Sequence, residues 1–163
     1  MQQLSLDIAQ VLAGALLLLS FILLYQVRLS ALINVFAVHA SVLAASVAWQ
    51  AYIQDATHLY VTAMIALLFK AVIIPVSLKR IIFKLRIHRT VEIIGGVRLT
   101  MLLGMMLTAL ALVVMLPATT ASSPLDREDL AFALAIILLG LLMMVTRRNA
   151  VSQIIGFMSL ENG

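Results

Sequence analysis

The chain is predicted to be an all-α, polytopic transmembrane helix bundle, with five full spans and the start of a sixth. Two properties of composition and one of pattern lead there. Hydrophobic residues make up 64% and charged residues 11% of the 163 positions, at a mean hydropathy of +1.15. A water-soluble domain of this size cannot carry that balance on its surface. The apolar residues also gather in runs close to the roughly 20 residues a helix needs to cross about 30 Å of hydrocarbon.

The first run, Leu4 to Tyr25, follows a leader (MQQLSLD) without a positive residue and shows no small-residue cleavage site, so it reads as a retained span and not a signal peptide. The second run is Ala31 to Ile53. The third, Leu59 to Leu78 (LYVTAMIALLFKAVIIPVSL), holds Lys70 in its interior. A charge at that depth is costly and marks a functional-site candidate.

Beyond the third run, Ile81, Ile82, Leu85 and Arg89 fall on one helical face, and Arg80, Lys84 and His88 on another. The segment of about 79–96 therefore reads either as an amphipathic helix at the interface, docking a partner, or as a basic loop against anionic lipid. In both forms Lys79, Arg80, Lys84, Arg86 and Arg89 face a partner subunit or lipid headgroups. Gly95-Gly96 marks a turn into the fourth run, Leu99 to Leu116. Its methionines, Met101, Met105, Met106 and Met115, read as adaptable packing residues in preference to a metal relay.

A polar loop of about 117–129 (PATTASSPLDRED) ends in a helix start. In the fifth run, Leu130 to Val145, Ala131, Ala135 and Gly140 permit close helix packing. The sixth begins near Ala150 and reaches Gly163, too few residues to cross; because a terminal carboxylate in mid-bilayer is expensive, a truncated C-terminus is expected. Residues 1–163 form a single transmembrane domain.

Orientation follows from the eleven Lys and Arg. With the N-terminus outside, the inner loops hold nine of them (Arg28, Lys79, Arg80, Lys84, Arg86, Arg89, Arg98, Arg147, Arg148), the outer loops hold Arg127, and Lys70 lies within a span. Positive residues in short loops stay on the cytoplasmic side, so residues 79–98 are expected there. Asp7, Asp55, Asp126, Glu128 and Asp129 fall on the opposite side.

Three ionisable residues lie well inside the apolar runs: His39, Lys70 and Glu161. At about 1.5 Å per residue, His39 and Lys70 are each roughly 12 Å from the inner ends of their helices and Glu161 roughly 16 Å in, so all three occupy the middle third of the bilayer. Aligning Leu32–His39 on Ile154–Glu161 puts one heptad before each ionisable side chain, as in repeat-built transporters. Carboxylate, desolvated amine and imidazole are the side chains that take up and release protons near neutrality. Glu161, Lys70 and His39 are accordingly proton-relay candidates, set against snorkelling for Lys70 and a neutral interhelical hydrogen bond for His39.

Several classes of chemistry find no support. With no cysteine the chain has no disulfide, thiolate-ligated cluster or c-type haem attachment. The three histidines lie on separate segments without zinc spacing. No nucleophile–base pair or glycine-rich phosphate loop occurs, so neither a catalytic site, a metal nor a cofactor is expected in this chain. The net charge of +4 is accounted for by topology and implies no nucleic-acid partner.

The segments FKAVIIPVSLKRI (Phe69 to Ile81) and QIIGFMSLENG (Gln153 to Gly163) resemble those of hydrogenase-4 component E, a membrane subunit of formate hydrogenlyase-type group 4 hydrogenases. Part of that family is similar to the K subunit of respiratory complex I and to small subunits of cation/proton antiporters. The shared features are the number of spans, an intramembrane Lys followed five residues later by Pro75, and Ser-Leu-Glu-Asn-Gly. The family normally continues past that last motif. The resemblance implies a non-catalytic membrane-arm subunit of an oxidoreductase complex in a prokaryotic inner membrane, beside antiporter-like partners. Glu161, and then Lys70, would line a proton-translocation path. Two other classes stay open: a scaffold bridging membrane partners, and a self-contained cation/proton transporter.

Overall fold

The computed structural model describes residues 2–86, 90–118 and 124–163, and all its named elements are helices. In chain order these are α1 (Gln2–Tyr25), α2 (Leu29–Ile53), α3 (Thr57–Ala66), a π-helical segment (Leu67–Ile73), α4 (Ile74–Leu85), α5 (Gly96–Ala118), α6 (Pro124–Thr146) and α7 (Ala150–Leu160). α3, the π segment and α4 form one continuous rod, Thr57–Leu85. With α1, α2, α5 and α6 this makes five helices long and apolar enough to cross a membrane, while α7 is a shorter apolar helix. The loop expected at about 117–129 is taken up at both ends by helix, since α5 runs to Ala118 and α6 starts at Pro124.

The rod overruns the predicted third span by seven residues and stops where Arg86 turns left-handed, at φ 50°. Lys79, Arg80 and Lys84 thus ride the last turns of a spanning helix, not a separate lateral one. Arg80, Lys84 and Arg86 are exposed and Lys79 is half-buried. On the expected apolar face, Ile82 packs against the core while Ile81 and Leu85 stay exposed. His88 and Arg89 lie outside the described residues.

Residues 90–94 return as an extended strap across this end of the bundle. Val91 N–H donates to the Val27 carbonyl at 2.8 Å, Ile94 N–H to Thr146 at 2.8 Å and Arg148 N–H to Glu92 at 3.3 Å. The strap gathers the α1–α2 and α6–α7 turns, and with them Arg28, Arg147 and Arg148, at one end. Asp55, Glu128 and Asp129 stand at the other. Arg147 is itself buried, and its guanidinium donates to the carbonyls of Leu24 at 2.6 Å and Gln26 at 2.7 Å, with a longer contact to Leu23 at 3.4 Å. Leu24 is in the last turn of α1, where carbonyls lack an intrahelical partner, and Gln26 follows the helix directly. Burial draws this guanidinium down to about 10, so it stays charged at neutral pH.

α2 is the organising helix, packed against α1, the whole rod and α7. Its buried residues Leu29, Leu32, Ile33, Phe36, His39, Ala40, Ala44 and Ala51 are related by separations of three, four and seven, the spacing of one helical stripe. Leu23, Leu24, Leu29, Leu32, Ile33, Phe36, Leu139, Met143 and Ile155 form the core, which sits toward the arginine end. The residues facing away, such as Leu68, Val72, Met105, Met106 and Val113, are exposed and apolar, as lipid contact requires. Met101 packs against the core while Met105 and Met106 point outward, so these methionines do not converge.

α7 lies hard against α6 because glycines leave room for it. A β-carbon at Gly140 would stand 2.6 Å from the Leu160 backbone nitrogen, and one at Gly163 2.7 Å from the Ala133 carbonyl oxygen. Gly140→Ala is therefore expected to push the end of α7 off α6 at a cost of about 1–3 kcal/mol. A thermal melt in detergent checks this. A midpoint within error of the unmodified chain would contradict the close approach.

Candidate functional site: a polar network across the bundle

Just beyond the apolar core, four segments bring polar side chains to one level. Lys70 comes from the middle of the π segment. Its widened turn closes with Ile74 N–H on the Phe69 carbonyl, and Pro75 follows. Proline has no N–H to give to the preceding turn and crowds its carbonyl, which favours a local change of helical register at this point. Single π turns inside α-helices are frequent at functional sites.

Glu161 and Asn162 follow the last residue of α7, held by Glu161 N–H to Phe157 at 3.0 Å and Asn162 N–H to Ser159 at 3.1 Å. His39 lies in the buried stripe of α2, and Ser20 is buried on α1.

The contacts form one chain. Lys70 Nζ stands 3.3 Å from Glu161 Oε2 and donates to Asn162 Oδ1 at 2.9 Å. Asn162 Nδ2 is 3.0 Å from His39 Nδ1, and His39 Nε2 is 3.0 Å from Ser20 Oγ. Ser20 commits its own hydrogen to the Leu16 carbonyl at 2.9 Å. That commitment decides the rest: Ser20 Oγ accepts from His39 Nε2–H. His39 Nδ1 is then the bare nitrogen that accepts from the Asn162 amide, and Asn162 Oδ1 faces the ammonium. Every donor points the same way, from Lys70 to the Leu16 carbonyl. While Lys70 is charged, the Asn162 amide is held so that its NH2 meets His39, and the imidazole is held neutral.

Burial divides the site. His39 is wholly buried and Asn162 nearly so, whereas the side chains of Lys70 and Glu161 are 23% and 42% exposed. The ion pair thus lies at the bundle surface, and the histidine lies behind it.

All three sequence-predicted relay candidates, His39, Lys70 and Glu161, meet here. The basic residues Lys79, Arg80, Lys84 and Arg86 do not; they remain at the arginine end. Asn162, the neighbour of Glu161, is the residue that reaches His39. Ser20 and Asn162 carry neutral side chains, which the pattern of ionisable residues does not mark. The signal for Asn162 was its place beside Glu161. Among the described residues, no group of His, Asp and Glu is placed to hold a metal ion. Comparisons with family models, with curated proteins and with solved structures found no match, so the functional reading rests on these residues and their geometry.

Proposed function

We propose that the chain is a non-catalytic membrane-arm subunit of a hydrogenase- or complex I-like redox complex and contributes Lys70, Glu161 and His39 to a proton path. The observation that supports this reading is the unbroken hydrogen-bonded chain linking α1, α2, the rod and the residues after α7. Ionisable side chains kept within membrane helices are costly, and they mark ion or proton pathways. The pair at the surface would face a neighbouring antiporter-like subunit, with the N-terminus outside and the arginine end cytoplasmic.

In this reading Asn162 couples two proton sites. When Lys70 passes the Nζ proton to Glu161 Oε2, an N–H bond breaks, an O–H bond forms and both groups become neutral. The amine no longer demands an acceptor, so the amide is free to turn its Oδ1 toward His39. A proton at His39 Nδ1 then has an acceptor. A charged Lys70 and a proton on that nitrogen exclude one another, which moves protons singly.

The test uses the whole complex in native membranes. Glu161→Gln and, separately, Lys70→Met are expected to lower proton translocation at least tenfold with assembly intact. Lost assembly with unchanged translocation per assembled complex would assign the chain to a scaffold. Proton transport by the purified chain in liposomes would make it a self-contained transporter.

A further inference from the structure

A cavity of about 200 Å3 lies between α1, α2 and α6 and reaches Asn162. Four of the residues lining it, Ser46, Gln50, Asp129 and Asn162, carry polar side chains, and Ala13 and Ala133 keep the walls thin. His39, Ser46 and Gln50 are spaced seven and four residues apart, which places them on one stripe of α2. From His39 to Gln50 is roughly 16 Å of helix, about half the hydrocarbon thickness. The polar stripe therefore spans the distance from the buried histidine to the end of the bundle that bears Asp55 and Asp129.

Liquid water takes roughly 30 Å3 per molecule, and a cavity holds water when it offers two to four polar partners. This one has the volume for several molecules and has an amide, a hydroxyl, a carboxylate and a second amide along its length. The lining runs from Leu16, Ile136 and Asn162 to Ala9, Gln50 and Asp129, so the cavity extends toward the Asp55 end, away from the well-packed core.

We propose that this cavity is a water-filled half-channel that connects the aqueous phase at the Asp55 end with Asn162 and His39. It serves the relay proposed above and rests on that reading for its purpose. A file of waters passes a proton by donating from one oxygen to the next, with no other reactant. The ion pair of Lys70 and Glu161 opens laterally, so the two accesses to the network lie on different faces.

The chain has no cysteine of its own, so an introduced thiol is unique within it. Ser46→Cys is placed in the assembled complex in sealed vesicles. It is treated with a small, cationic, membrane-impermeant methanethiosulfonate, and modification is read on this chain by mass. A thiol reacts only where water lets it ionise.

Asp55→Cys serves as the aqueous reference and Val113→Cys, on the apolar surface of α5, as the lipid-facing one. Ser46→Cys is expected to react from the Asp55 side only, within about a hundredfold of the Asp55→Cys rate, while Val113→Cys stays inert. Filling the cavity with Ala133→Phe, or with Ala13→Leu should that variant fail to assemble, is expected to slow the Ser46→Cys reaction at least tenfold. A Ser46→Cys as inert as Val113→Cys would overturn the half-channel, as would a rate unchanged by a filled cavity. Labelling as expected alongside undiminished proton translocation in Lys70→Met would leave the half-channel standing and refute the relay.

Discussion

Asn162→Leu is expected to abolish proton translocation, by at least tenfold in the assembled complex, even though leucine is close to asparagine in size and neither takes up nor releases a proton. Lys70 would keep Glu161 and His39 would keep Ser20, but nothing would join the two halves. Each group deprived of its partner costs about 1–3 kcal/mol, so assembly of this variant needs checking. Asn162→Asp provides the second arm.

A carboxylate accepts from the ammonium but cannot donate to His39 Nδ1, so the imidazole has to carry a hydrogen there. Solid-state nitrogen NMR of histidine-labelled protein in lipid reads this directly, with the His39 resonances identified by their loss in His39→Gln. The unmodified chain is expected to show a neutral imidazole with its hydrogen on Nε2, and Asn162→Asp one with hydrogen on Nδ1. The same protonation pattern in both would refute the coupling through Asn162.

Arg147→Met is expected to destabilise the fold more than any single change at the polar network. Two short hydrogen bonds from a charged donor to carbonyls at the end of α1 and just past it would be lost together, each worth about 1.5–3 kcal/mol. A loss of about 3 kcal/mol corresponds to a fall in thermal midpoint on the order of 10 °C for a chain of this length. Arg147→Lys should fall between, because an ammonium lacks the planar fork that reaches Leu24 and Gln26 together. The exposed neighbour gives the control: Arg148→Met should change stability by no more than about 0.5 kcal/mol. Equal effects at the two positions would contradict the capping role.

Arg147 and Arg148 also show where sequence reasoning ends. Both count equally in the charge asymmetry, and nothing in the dipeptide says which side chain turns inward to close α1. The same holds at the polar layer. His39, Lys70 and Glu161 were legible because a titratable side chain inside an apolar run carries a solvation cost visible in the sequence alone. Ser20 and Asn162 were not, because a hydroxyl or an amide in a span is common and cheap. Its meaning depends on the atom it meets. The π turn around Lys70 was legible only as Pro75, and nothing in the sequence marked residues 79–85 as a continuation of the third span.

By itself the sequence determined the class of fold, the bounds of the five long helices to within a few residues in most cases, and the placing of His39 and Lys70 within two of them. Those properties follow from local length, hydropathy and solvation, which need no knowledge of neighbours. Only the tertiary structure decided that three scattered ionisable residues share one hydrogen-bonded chain, that a neutral amide joins them, and that a cavity lined in part by polar side chains reaches that amide. Each of these depends on the rotation and close approach of helices far apart in the chain, set by packing at Gly140, Gly163 and the stripe of α2.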